Sequence, residues 1–400
     1  MPSNFGWVDF EERDRQKMLE VIKMFQEQDT RDELGIGTIR DAFSDLLFPG
    51  TSTIQTRVKY MLFVPWIYLR HEEKKTTSAE ISRKVREDEV TLISALKNSD
   101  DTYGIIGVEA GAHLQRMPSQ VYWSGLARWG IRQFRGSIDE LHRSIEHYYA
   151  AKKNVIVDDD KMPVAGMVHD NWHPGIPDAP EGFPYQASFR LSREEAEYLL
   201  DRILHNCKKS LLAHLVSRGY QSNVDFIWEH SALDCLPGEM RSQILHARNF
   251  AISMHGAALL YNYLLAEKRD DQSLVERYLQ KISEWAEMME SVDSSKWDRG
   301  DFWDLVQMAG QIPIRTRHFV DDWLSVGCCS KARHTLTDNH DARQLITLRE
   351  RWLKRDRSRL ENRRALELWS GASGTSMLSY RWPVAQGMVN DIVAGLWEEH

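Results

Sequence analysis

The sequence predicts a mainly α protein, multi-helical, with two or three helical subdomains and few or no strands. Three observations carry that expectation. Apolar residues recur at helical spacing in segment after segment, alternating apolar and polar runs are nearly absent, and capping or stop residues bracket many of the periodic stretches. The 400 residues are enough for two or three domains with sizeable cores. Apolar residues make up 42% and charged residues 28%, an ordinary balance for a globular chain. Fourteen tryptophans are many for this length, and most should anchor helix packing. A formal charge of −8 excludes a uniformly basic nucleic-acid coat, so any such contact must come from local patches.

Taken in order, Phe10 to Gln28 places Met18, Leu19, Ile22, Met24 and Phe25 on one broad face, with acids at its start as the helix dipole prefers. A short helix follows from about Ile39 to Phe48, with Ala42, Phe43, Leu46 and Leu47 on its apolar side. Pro49-Gly50 stops it, and a second helix is expected to begin at Thr51-Ser52-Thr53. Ser78 to Lys97 repeats the pattern through Ile81, Val85, Val90, Leu92, Ile93 and Leu96. Tyr103 to Val108 and Asn154 to Val157 are at most short strands. Pro118-Ser119 opens another helix, and Ser137 to Ala151 forms the next.

Val155 to Phe189 breaks the periodicity. It holds five of the twelve prolines (Pro163, Pro174, Pro177, Pro180, Pro184) and the acidic run Asp158 to Asp160, and reads as a long connection or functional loop. Beyond it, Ser192-Arg193-Glu194-Glu195 has the layout of a capping box. Leu236-Pro237 precedes a helix reaching about Lys268, and Gln272 to Glu290, Asp301 to Met308, Ile314 to Leu324 and Asn339 to Trp369 complete the helical set. The implied organisation is an N-terminal subdomain over residues 1–75, a middle one over 76–154, a proline-rich connection over 155–190 and a C-terminal helical domain over 191–400.

The four cysteines, Cys207, Cys235, Cys328 and Cys329, lack metal-ligand spacing, and the adjacent pair is a poor structural bridge, so the chain reads as reduced and cytoplasmic. MPSNFGWVDF has no signal pattern. The apolar run Tyr60 to Leu69 is broken by Pro65 and too short to span a bilayer, so no membrane partner is expected.

Two places concentrate groups suited to anions. Thr51, Ser52, Thr53, Gln55, Thr56, Arg57 and Lys59 crowd the expected second helix start, where unpaired amides and the dipole favour phosphate. The arrangement also resembles the second helix of a helix-turn-helix. The plainer alternative is a capping box of Ser52 and Gln55, with Arg57 paired to Asp41 or Asp45. The second place is Arg343 to Arg364, with nine Lys or Arg against three acids. There Leu345, Leu348 and Trp352 mark a buried face, and Arg351, Lys354, Arg355, Arg359 and Arg363 are candidate contacts to a phosphate backbone. The alternatives are intrahelical pairs such as Glu350 with Lys354, or docking against this chain's own acidic helices. Arg381, between Tyr380 and Trp382, is either a stacking residue or the fastener of a structural corner.

Weaker motifs complete the set. Arg31, Asp32, Glu33, Arg40 and Asp41 surround Gly35 and Gly37, which lack the third glycine of a dinucleotide fingerprint. The acids of this group are alternatively metal ligands or a solvated turn. His169 and His173 stand four apart, but in a segment that is not helical, so they are weak metal candidates. Glu72-Glu73-Lys74 matches a nuclease-like string without the strand it requires. No P-loop, nucleophile elbow or kinase set is present, and no cofactor is implied.

FGWVDF, RDELGIG, IRDAFSDLLFPGTSTIQTR and LFVPWIY, with PSQVYWSGLARWGI and LELWSGASGTSMLSYRW further on, resemble an uncharacterised bacterial family known only as a domain of unknown function. The resemblance covers essentially the whole chain. It implies a place in anti-phage islands beside helicase and phospholipase-D-like nuclease genes, and connects the chain with the Azaca type of defence system. It supplies no catalytic residues. The expected function is therefore a non-enzymatic accessory subunit that binds DNA or RNA, or a helicase–nuclease partner. The alternatives are a metal- or nucleotide-dependent hydrolase, gathering Arg31, Asp32, Glu33 and Arg57 against His169 and His173, and a pure protein–protein scaffold.

Overall fold

The structure is a computed structural model, and it describes residues 32–153, 169–292, 297–329 and 333–397. The expected helix from Phe10 to Gln28, Arg31, the short strand from Asn154 to Val157 and the acidic run after it lie outside the described residues. Among the described residues the fold is mainly α, with fourteen α-helices and no strand. The nearest approach to a sheet is an isolated antiparallel bridge between Arg132 and Trp172. Tyr103 to Val108 is a chain of turns, because Gly104 and Gly107 adopt φ of +83° and +78° and break any extended run.

In chain order the helices are α1 (Gly37–Leu47), α2 (Tyr60–Glu73), α3 (Ser78–Lys97), α4 (Pro118–Arg128), α5 (Ile138–Lys153), α6 (Arg193–Asn206) and α7 (Leu211–Arg218). There follow α8 (Gly238–Arg269), α9 (Gln272–Met288), α10 (Arg299–Ala309), α11 (Ile314–Val326), α12 (His340–Lys354), α13 (Arg363–Glu367) and α14 (Trp382–Trp397). The capping box forms as expected: Ser192 Oγ accepts from Glu195 N–H at 3.2 Å while the Glu195 carboxylate takes the Ser192 N–H at 2.7 Å.

The chain forms two compact units, neither of them a single stretch of sequence. Among the described residues, one is built from 32–43 with those of 242–378, the other from those of 44–241 with 379–397. The first unit is organised on α8, in which Leu259 to Ala266 are buried without interruption. A helix buried on every side must lie at the centre of its unit. Trp285 and Trp323 donate their indole N–H groups to the carbonyls of Ile252 and Ser253 at 2.8 Å each, so these large side chains enter the core with their polar atoms satisfied.

The second unit is closed by α14, packed on α6 and α7, while α2 lies against α3 and α4. α7 and α14 are not among the helices expected from periodicity. Both are legible afterwards: Ser210 caps α7, and Ala385, Met388, Val389, Ile392 and Val393 give α14 its buried stripe.

Two expected helices need correction. Residues 51–59 are not helical: Gln55 Oε1 accepts the Ser52 N–H at 3.0 Å in a turn, and α2 starts only at Tyr60. The stretch from Asn339 to Trp369 is not one helix either. It ends at Lys354, reverses through Arg355, whose φ is +50°, and resumes as the short α13. The cause is Glu350. Its carboxylate takes the N–H groups of Arg359 and Leu360, at 2.9 and 3.0 Å, and so pulls the following chain back onto the helix.

Candidate functional site

The motif around Gly35 turns inward in the first unit. Asp32 caps α1, accepting the N–H groups of Ile36 and Gly37 at 2.8 and 2.7 Å. The carbonyls of Leu34 and Gly35 receive the buried Arg349 guanidinium at 2.8 and 3.0 Å. Gly35 has φ of +68°, and a Cβ there would stand 2.9 Å from Arg349 Nη2, so only glycine suits the position. Arg40 pairs with its neighbour Asp41 at 3.0 Å.

Glu33 joins a buried charge cluster with residues of the expected phosphate stripe. Lys354 contacts Glu33 directly and reaches Glu350 Oε1 at 3.2 Å and the Tyr261 hydroxyl at 2.8 Å. Arg359 donates to Glu33 Oε1 at 3.0 Å and to Ser373 Oγ at 3.2 Å. Burial alone favours a neutral Glu33, but Lys354, Ser373 and Arg359 outweigh it and hold the carboxyl near about 2. Lys354 and Arg359 are thus internal ion-pair partners, the intrahelical pair of Glu350 with Lys354 forms, and Tyr261 is a central residue that the sequence does not single out.

The segment from Thr51 to Lys59 serves the interior of the second unit. Arg57 Nε bonds Asp391 at 2.9 Å, its Nη1 bonds Asp101, and its guanidinium lies 4.7 Å from the Phe189 ring centroid. The expected pairing of Arg57 with Asp41 or Asp45 does not form; Asp45 pairs with Arg381 at 2.6 Å. Lys59 is buried against Glu195 at 2.9 Å. Thr51 donates to Phe48 O at 2.7 Å, Thr56 to Gly104 O at 2.6 Å, and Arg381 to Thr51 O at 2.8 Å. Ser52 is half-buried, Gln55 is buried, and Thr53 is exposed. Glu72 accepts from Asn171 and Trp172 at 3.0 and 3.1 Å, which accounts for the nuclease-like string.

What remains exposed is the outer side of α12 and the reversal after it. The buried face of α12 is Ala342, Ile346, Arg349 and Glu350. The expected buried face is therefore turned outward: Leu348 is 51% exposed and Trp352 45%. Glu350, with five internal donors, commands the helix's orientation. Arg315 and Arg349 each stand 5.1 Å from the Trp352 ring centroid. Arg351, Arg355, Arg357, Arg363 and Arg364 are all exposed here. Arg351 meets Glu361 at 3.4 Å and Arg363 meets Glu367 at 3.2 Å, both as solvated pairs. Arg355, Arg357 and Arg364 have no carboxylate partner among the described residues. Arg351, Arg355, Asp356, Glu361 and Asn362 line a cleft of about 490 Å³.

A second polar concavity, of about 730 Å³, lies within the second unit. It brings together Arg132, Arg135, Arg202, His169, His173 and His205. His173 Nδ1 accepts the Gly175 N–H at 3.2 Å, and burial followed by the Arg202 charge lowers the imidazole's pKa. Among the described residues no group of three or more His, Cys, Asp or Glu is placed to hold a metal ion.

The molecule so defined is a mainly α protein of two units in which Asp32 and Glu33 are held in internal hydrogen bonds and ion pairs. The chain belongs to the family described as a family of unknown function (DUF6361), whose profile matches residues 2–395. No curated protein and no solved structure matches it. No helix among the described residues is long and apolar enough to cross a membrane.

Proposed function

We propose that the protein binds nucleic acid through the outer side of α12 and the reversal after it, as a non-enzymatic accessory subunit in bacterial anti-phage defence. The observation that carries the binding reading is the exposed Trp352 beside five exposed arginines on a chain of net negative charge. Guanidinium groups without carboxylate partners suit phosphate oxygens, and an exposed indole offers a base a stacking surface. The strained backbone at Arg355 supports the same reading, since a non-glycine residue kept at positive φ on an exposed turn points to a role for its side chain. The defence context, with a helicase–nuclease partner, rests on the resemblance of the sequence blocks.

The test is anisotropy of labelled single- and double-stranded DNA and RNA against salt, with Arg351→Ala, Arg355→Ala and Arg364→Ala combined. The affinity should fall steeply with salt, and the variant should lower the slope of log affinity against log salt by about two to three. Salt-independent binding, or a variant matching the parent, overturns the reading. Pulldown from cells carrying the neighbouring genes, with and without nuclease, tests the partner.

A further inference from the structure

The concavity of the second unit has features of a built anion site, and none of its residues belongs to the α12 surface. Its walls are pinned by backbone hydrogen bonds: Gln133 and Phe134 N–H to Asn171 O at 2.8 and 3.1 Å, and His173 N–H to Ile131 O at 2.8 Å. Arg132 is one of the lining residues, and its guanidinium is fixed by several backbone carbonyls. Its Nε donates to Trp123 O at 3.2 Å, its Nη1 to Gly136 O at 3.0 Å and to Phe134 O, and the Trp123 ring centroid lies 4.5 Å away. Yet this half-buried cation has no carboxylate partner among the described residues, and burial draws its pKa down. A partly desolvated charge without a counter-charge is costly, and a bound anion removes that cost.

The surrounding charges agree. Arg135 is exposed and has no carboxylate partner among the described residues, while Arg202 is paired with Asp201 outside the cavity lining at 2.5 Å. The acid in the lining, Asp170, is already bound to Lys152 at 2.9 Å and to the Tyr148 hydroxyl at 3.0 Å. Because His173 Nδ1 accepts a hydrogen bond, its neutral ring carries the proton on Nε2 and is a donor there. Two unneutralised guanidinium groups with imidazole donors suit a tetrahedral dianion, whose oxygens accept from several directions. A volume of about 730 Å³ holds much more than the anion alone and falls in the range of small-molecule sites.

We infer that this cavity binds a phosphomonoester, either a small phosphorylated metabolite such as a nucleoside monophosphate or the terminal phosphate of a nucleic-acid strand. Calorimetric titration of the full chain with inorganic phosphate and with adenosine monophosphate tests it. Binding of either probe is expected, and Arg135→Ala with His205→Ala, both at exposed positions, should weaken it roughly tenfold or more with the circular dichroism unchanged. Competition by a short oligonucleotide carrying a 5′-phosphate, but not by its 5′-hydroxyl counterpart, assigns the site to a strand end; no competition by either assigns it to a small molecule. Arg355→Ala, on the other surface, should leave probe binding intact, which separates this inference from the nucleic-acid reading. Absence of binding by both probes, or equal binding by the double variant, overturns it.

Discussion

Glu350 accepts the backbone N–H of Leu360 at 3.0 Å, ten residues further along the chain. The same carboxylate takes the hydroxyls of Ser358 and Tyr261, each at 2.7 Å. One buried anion therefore ends α12, turns the chain back and decides which residues of the helix face outward. The exposure of Trp352 and the neighbouring arginines follows from it.

Glu350→Ala is expected to destabilise the protein by about 3–5 kcal/mol, because it leaves the hydroxyls of Tyr261 and Ser358 and the N–H groups of Arg359 and Leu360 without their acceptor in the interior. Glu350→Gln keeps an acceptor and should cost less. Denaturant unfolding measures both, and an alanine variant within about 1 kcal/mol of the parent would remove the carboxylate from this role.

Glu33 sets an acid limit on stability. Its carboxyl is depressed from 4.5 to about 2 in the folded protein, with burial opposing and Lys354, Ser373 and Arg359 prevailing. A depressed carboxyl stabilises above its unfolded pKa, and that stabilisation is lost as pH falls through 4.5 toward about 2. It amounts to at most roughly 3 kcal/mol. Thermal melts across this window should drop more steeply for the parent than for Glu33→Gln. Parallel curves would refute the assignment.

Glu89 acts in the opposite direction. Burial raises its carboxyl to about 7, against the Ser119 N–H that it accepts at 2.7 Å. A raised carboxyl favours the fold fully below its unfolded pKa of 4.5, and the benefit disappears as pH rises through about 7. Glu89→Gln keeps the acceptor without the ionisation, so at about pH 8 it should melt several degrees higher than the parent. A lower melting temperature there would contradict the burial argument.

Arg355→Gly separates fold from function at one residue. Glycine relieves the strain of φ at +50°, worth on the order of 1–3 kcal/mol, and loses somewhat less than that in backbone entropy. The variant is expected to gain about 1 kcal/mol in stability while binding nucleic acid more weakly. A variant that is more stable and binds equally well would make Arg355 a turn residue alone.

Much of the helical pattern is readable in the residues. Ser78–Lys97 falls where its periodicity and flanks place it, and the Ser192 capping box forms because its hydrogen bonds close within a few residues. The charged sites are not readable this way. Arg57 finds Asp391 at a separation of 334 residues, and Arg359 finds Glu33 at 326, so no local pattern distinguishes these cations from solvated ones. The reversed face of α12 has the same origin: spacing makes Leu348 and Trp352 a plausible core stripe, and a buried carboxylate overrules it.

By itself, then, the sequence determined the helical class, most element positions and the family blocks, since caps, stops and period act over a turn or two. Tertiary structure alone decided which charges are buried and paired, that two units form from interrupted stretches, and where arginine reaches solvent. Ion pairing and desolvation depend on distance in space, and chain separation does not encode that distance.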